Sequence, residues 1–147
     1  MKIRIAALLV AACAGLPGLI AQDSKSSKAV TLTLSARPAS VRSEWDGYLD
    51  ISAVIESGYY IISNTPGSEF LIPANVKFKL NPSAVFGPLD YPKGETKKLG
   101  FSEEKLSVYQ GKATITAPFK AAAGAPSGRI TIQGVFAYPL SKSLNSK

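Results

Sequence analysis

The chain has 147 residues, of which 46% are hydrophobic, and a formal net charge of +7. Its one cysteine is Cys13 and it has no histidine, which excludes an internal disulfide, a zinc site of the Cys/His type, and catalysis by a Ser-His or Cys-His pair. We predict no metal site and no cofactor, and the length suits a single domain.

The first 21 residues have the pattern of a secretory signal peptide. Lys2 and Arg4 form a short positive region, residues 5–14 are an uninterrupted run of apolar and small side chains, and Ala21 offers a small residue for cleavage. The run is too short for a transmembrane helix. We therefore expect an exported protein, periplasmic or secreted, that begins with a flexible polar leader at residues 22–29. Cleavage removes two positive charges and leaves a net charge of +5.

A lipoprotein is the second interpretation of this segment. The run Val10-Ala11-Ala12-Cys13 resembles a bacterial lipobox, in which Cys13 would carry the lipid. An acylated Cys13 would anchor the protein to a membrane. We predict contact with a membrane only in that case, or if the chain is part of a longer protein.

The charged residues do not indicate nucleic-acid binding. The lysines of residues 93–105 alternate with glutamates, as on a solvated protein surface. A nucleic-acid-binding domain would carry a one-sided basic stripe or a known motif. The adjacent pair Glu103-Glu104 lies in this lysine-rich stretch, without the apolar pocket that a hydrolase would need to separate two carboxyl pKa values.

From Val30 onward, apolar residues recur at every second position, which is typical of half-buried strands. Gly134 interrupts the last of these strands and predicts a bulge or a close approach of another chain segment. Residues 81–107 lack sustained alternation and predict a long loop that carries Phe86, Tyr91 and Phe101. The predicted strands lie at residues 30–36, 49–55, 59–62, 76–80, 113–119 and 130–138.

Short strands without an amphipathic helix predict an all-β fold. Each sheet with one apolar face must bury that face against another sheet, so we expect an antiparallel β-sandwich. A small β-barrel is the alternative, because periodicity alone does not separate the two.

An ordered series of motifs resembles the N-terminal periplasmic domain of the thiol:disulfide interchange protein DsbD. The resemblance covers residues 30–138 and implies an immunoglobulin-like sandwich. The motifs are GYY at 58–60, YPKGE at 91–95, GFSE at 100–103, VYQG at 108–111 and FAY at 136–138.

The resemblance also implies a function. In that family the domain passes reducing equivalents to thioredoxin-like periplasmic partners, including a disulfide isomerase and factors of cytochrome c biogenesis, through mixed disulfides. It further implies a cap loop near residues 97–109 and tyrosines around a cysteine pair. Our candidates for partner binding or for the cap loop are Tyr59, Tyr60, Phe101, Tyr109 and Tyr138.

The chain departs from the family where the chemistry takes place. If the register holds, Ser141 and Ser146 occupy the two cysteine positions, within a polar tail at residues 139–147. A serine hydroxyl neither forms nor resolves a disulfide, so we predict no catalytic residue. Three interpretations stay open: a redox-inactive binding module, a truncated or frameshifted form of an active thiol-disulfide reductase, and a structural or adhesive envelope domain.

Overall fold

The computed structural model describes residues 2–13, 20–22, 29–80, 84–121 and 129–142. These ranges form eleven strands and contain no helix, and so no helix there is long and apolar enough to cross a membrane. The strands are β1 (Lys2–Cys13), β2 (Ile20–Gln22), β3 (Val30–Pro38), β4 (Gly47–Ile55), β5 (Tyr59–Ile62), β6 (Asn75–Phe78), β7 (Ala84–Phe86), β8 (Glu95–Lys98), β9 (Lys105–Tyr109), β10 (Lys112–Ala121) and β11 (Arg129–Lys142).

The strands form two antiparallel sheets that pack against each other. Sheet A has the order β2-β1-β11-β5-β9-β8, and β6 pairs with β11 beside β5. Sheet B has the order β3-β4-β10-β7. The predicted all-β, immunoglobulin-like sandwich is confirmed, since the strands divide between two sheets rather than closing into one barrel.

The main core lies between the sheets and follows the alternation of the sequence. In β3 every second side chain from Val30 to Leu34 is buried, and the side chains between them are exposed. Burial of each such aliphatic side chain stabilises the fold by about 1.5–3 kcal/mol relative to exposure. The main core includes Leu32, Leu49, Ile51, Ile55, Ile115 and Ala117 from sheet B and Ile61, Val76, Tyr109, Ile132, Phe136 and Tyr138 from sheet A.

The prediction of one long loop over residues 81–107 was wrong, because this stretch contains β7, β8 and the start of β9. Three of the four residues of β8 are charged, and β8 lies at the edge of sheet A. An edge strand held by backbone hydrogen bonds to one neighbour needs no buried side chains, so hydrophobic alternation does not reveal it.

At both ends of the chain, strands of sheet A include residues that were expected to lie outside the sandwich. Residues of the predicted signal peptide form β1, which pairs with β11 from Lys2↔Leu140 to Cys13↔Arg129. Pairing in the intact chain does not test cleavage, which stays a prediction. At the other end, β11 continues through Lys142, so residues 139–142 of the predicted tail belong to sheet A; residues 143–147 lie outside the described ranges.

Candidate functional site

The candidate site lies on the outer face of sheet A, the face turned away from sheet B. The two faces separate within β5, where Ile61 belongs to the main core and its neighbour Ile62 to a second apolar cluster. Ile62 packs there with Leu99, Leu106 and Val108. A sandwich normally leaves such a face to solvent, so a second cluster on it indicates that another part of the chain covers it.

The covering segment is the tip loop, residues 99–104, which joins β8 to β9. Leu99 is only 6% exposed and anchors the loop in the second cluster. The loop is tightened by Ser102, whose N–H donates to the Leu99 carbonyl at 3.0 Å and whose hydroxyl accepts from the N–H of Glu104 at 3.2 Å. Phe101, two residues after the anchor, is 53% exposed. The tip loop therefore packs through Leu99 and leaves the ring of Phe101 accessible.

A second loop, residues 63–74, adjoins the tip loop. Leu71 packs against the second cluster, and the N–H of Ser107 in β9 donates to the carbonyl of Pro66 at 3.0 Å. Phe70, next to Leu71, is 95% exposed. Phe70 was not among the residues singled out from the sequence, where its signal is an aromatic side chain between Gly67 and Pro73.

Ser141 and Tyr60 meet on this outer face. They are direct cross-strand partners of β11 and β5, and Tyr60 packs against the second cluster. Directly paired residues project to the same face with Cβ atoms about 4.5–5.5 Å apart, so Ser141 stands beside Tyr60. The other predicted cysteine position, Ser146, lies outside the described residues.

Lys97 of β8 brings a positive charge to this face. Its Nζ lies 5.4 Å from the centroid of the Tyr60 ring and 3.6 Å from Oε2 of Glu95, and it donates a hydrogen bond to Oε1 of Gln110. The cation and the ring attract each other at this separation. From the sequence, position 97 stood out only as the start of the implied cap loop. The contact of Lys97 with Tyr60 joins two strands that are distant in the sequence, so sequence patterns do not reveal it.

The remaining candidate tyrosines face the main core. Tyr109 and Tyr138 are 3% and 1% exposed, and Tyr59 is partly buried, with the Nζ of Lys142 lying 5.9 Å from its ring centroid. Burial raises the pKa of Tyr109, so its hydroxyl stays protonated and donates to Oδ1 of Asn64 at 2.6 Å. Of the candidate aromatic residues, Phe101 and Tyr60 therefore lie on the outer-face side of sheet A, while Tyr109 ties the 63–74 loop to sheet A.

The side chains gathered on this face are mainly apolar and aromatic. The whole chain has neither histidine nor any cysteine besides Cys13, whose backbone pairs with Arg129 at the far end of β11 from Ser141. Among the described residues, no group of three or more His, Cys, Asp or Glu side chains could hold a metal ion. The outer face of sheet A thus combines the exposed ring of Phe101, the second cluster, and Lys97 beside Tyr60. Exposed aromatic rings are frequent anchors in protein interfaces.

The chain matches a model of a known protein family. The family model described as thiol:disulfide interchange protein DsbD, N-terminal, matches residues 30–136, from the start of β3 into β11. Both loops of the candidate site fall within the match, and Ser141 follows its end. No curated protein matches the chain.

Proposed function

The chain belongs to the family of the DsbD N-terminal domain, and on that basis we propose that it is an exported docking domain for thioredoxin-like periplasmic proteins that does not itself carry electrons. The docking surface is the outer face of sheet A around Tyr60, Ser141 and the tip loop. We place the protein in the periplasm because of its family and its predicted signal peptide.

The lack of cysteine is the reason for separating docking from electron transfer. Thiol-disulfide exchange proceeds by attack of a thiolate on a disulfide sulfur, through a mixed disulfide. No residue after Cys13 can supply that sulfur. Residues 14–147 therefore supply no thiol for disulfide exchange with a partner, which supports a role in docking.

The observation that carries the docking proposal is the tip loop on the outer face of sheet A, where Leu99 belongs to the second cluster against which Tyr60 packs. The tip loop is held on the outer face by Leu99, while Phe101 stays exposed at its end. The neighbouring 63–74 loop carries a second exposed ring, Phe70, and apolar side chains that are exposed together, unlike single scattered ones, mark interaction sites. Aromatic side chains of this kind supply much of the binding energy in protein interfaces.

The test is binding of a periplasmic thioredoxin-like protein, in its reduced and oxidised forms, measured by calorimetry. Phe101→Ala should weaken binding about tenfold or more, equivalent to at least about 1.4 kcal/mol, because it removes an aromatic anchor. Its melting temperature should stay near that of the unmodified protein, since the ring is half exposed.

Val41→Ala is the matched control. Val41 is a fully exposed aliphatic residue in the connection between β3 and β4 of sheet B, away from the candidate site. The control should leave affinity unchanged. If the unmodified protein binds neither form of the partner, the docking proposal fails and a structural or adhesive role becomes the working hypothesis.

A further inference from the structure

In the intact chain, β11 is an interior strand of sheet A. One of its edges pairs with β6 and β5, and the other pairs with β1 at twelve consecutive positions. The side chains of Ile132, Phe136 and Tyr138 are buried in the main core. The backbone of β11 therefore depends on β1 for the hydrogen bonds of one whole edge.

Signal cleavage would change that position. Residues 1–21 include all of β1 and two of the three residues of β2. Their removal takes away the complete partner on that edge of β11, whereas β3 to β10 keep their strand partners. The processed chain would then present β11 as the new edge of sheet A.

This new edge lacks the features that protect the existing ones. Sheet edges are normally protected from association by charge, proline or short length. Three of the four residues of β8 are charged, β7 has only three residues, and β3 ends in Arg37 and Pro38. Residues 130–141 of β11, in contrast, are twelve in a row without a charge, and Pro139 near one end removes at most one ladder hydrogen bond.

We propose that removal of residues 1–21 converts the chain into a two-fold symmetric dimer in which β11 pairs antiparallel with β11 of a second copy. In this structure an antiparallel strand from the same chain already occupies the edge, so its geometry suits that kind of partner. A second copy offers the identical uncharged edge, and an antiparallel pair of identical strands closes the two-fold symmetry and leaves neither β11 edge unpaired. The dimer joins the two A sheets into one continuous sheet.

The experiment uses the full chain with a specific protease site placed between Cys13 and Ile20. Before cleavage, light scattering should give the mass of one chain. After cleavage and removal of the released segment, the mass should correspond to two chains once the protein concentration reaches about 100 μM. Excess synthetic peptide with the sequence of Lys2–Cys13 should return the cleaved chain to a monomer, because it competes for the same edge.

Single cysteines then locate the interface, since the cleaved chain has none of its own. Gln133→Cys, Val135→Cys and Ala137→Cys lie on the outer face of β11, and the one nearest the two-fold axis should form a disulfide between copies under mild oxidation. Thr33→Cys, exposed on the edge strand β3, is the control and should not cross-link.

Two results would overturn the proposal. One is a cleaved chain that stays monomeric or loses its β-sheet circular dichroism, because the dimer requires an intact sandwich. The other is a dimer that cross-links at position 33 and not within β11, because its interface would then lie on sheet B.

Discussion

Ser141 lies across from Tyr60 in the ladder between β11 and β5, and the neighbouring Lys97 approaches the same ring. The side chain at this position differs from cysteine by one atom, oxygen in place of sulfur. That atom determines the chemistry, because a thiolate attacks disulfides and a hydroxyl does not. The position is therefore suited to a test in which only the reacting atom changes.

We predict that Ser141→Cys, in a chain that also carries Cys13→Ser, will capture a docked thioredoxin-like partner. The introduced sulfur is first joined to an aromatic thiol. The partner's nucleophilic thiolate, its resolving cysteine replaced by serine, then attacks that sulfur, forms the disulfide between the proteins and releases the aromatic thiolate. Docking should make release about tenfold faster than at position 33 in a matched Thr33→Cys variant, because it orients the reacting atoms. Absorbance of the released thiolate measures both rates, and equal rates would contradict docking at this face.

Asp50 on sheet B predicts how the stability of the fold depends on pH. Partial burial alone would raise its pKa, but hydrogen bonds from Arg37 Nε and Thr116 Oγ1, each 2.8 Å long, lower the pKa below its ordinary value. A carboxyl with a lowered pKa in the folded state stabilises that state above its ordinary pKa. This contribution is lost as the pH falls below about 4 and through the folded-state pKa.

Asp50→Asn should therefore lower the free energy of unfolding by about 0.5–1 kcal/mol at pH 7, a modest effect because Arg37 is half exposed and solvent screens the pair. In strong acid the difference from the unmodified protein should largely vanish. Urea denaturation between pH 2 and pH 7 measures it. Glu56→Gln, at an exposed carboxylate just beyond β4, is the control; a difference for Asp50→Asn that is the same at every pH would contradict the assignment.

Among the strands, β11 has the most demanding geometry. It pairs with β1 on one edge and with β6 and β5 in succession on the other. Gly134 faces Phe78 of β6, and a Cβ at position 134 would lie 2.9 Å from the Phe78 ring and 3.0 Å from the Lys77 carbonyl oxygen. The close approach predicted from the sequence is present, and it involves both a side chain and a backbone atom.

Gly134→Ala should accordingly destabilise the fold by about 1–3 kcal/mol, the usual cost of adding an atom to a packed site. The ring of Phe78 has little room to move, because it stacks on Phe86 with centroids 4.0 Å apart. Urea denaturation gives the change, and Gln133→Ala, an exposed neighbour on the same strand, provides the control. Equal stability of the two variants would show that β6 shifts away at no cost.

The strands also show what the sequence could predict. The strands β3, β4 and β10 were predicted because each alternates between the main core and solvent over many residues. The strand β8 was missed, since it is short, charged and paired on one edge. At the candidate site, Tyr60 and Phe101 were singled out by motif. The anchors Leu71 and Leu99 were not, because their burial depends on two loops folding over the outer face of sheet A.

For the molecule as a whole, the two sheets have different roles. Sheet B supplies a regular inner face of aliphatic side chains, and its outer face carries the Arg37–Asp50 pair. Sheet A supplies the fully buried aromatic side chains of the main core, including Phe136 and Tyr138 with ring centroids 4.9 Å apart, and carries the candidate site on its outer face. The function that we propose thus depends on sheet A, in which β11 pairs with three other strands.

The position of β11 along the chain has a consequence for the order of assembly. All of sheet B lies within residues 30–121. In sheet A, by contrast, β5, β6 and β9 are joined to the other strands by β11, which comes much later in the chain. A chain that leaves a secretion channel with its N-terminal side first could pair β3, β4, β7 and β10 before β11 emerges. Closing sheet A then requires contacts between distant segments, which form slowly. The surface for docking would thus be completed only after β11 has emerged.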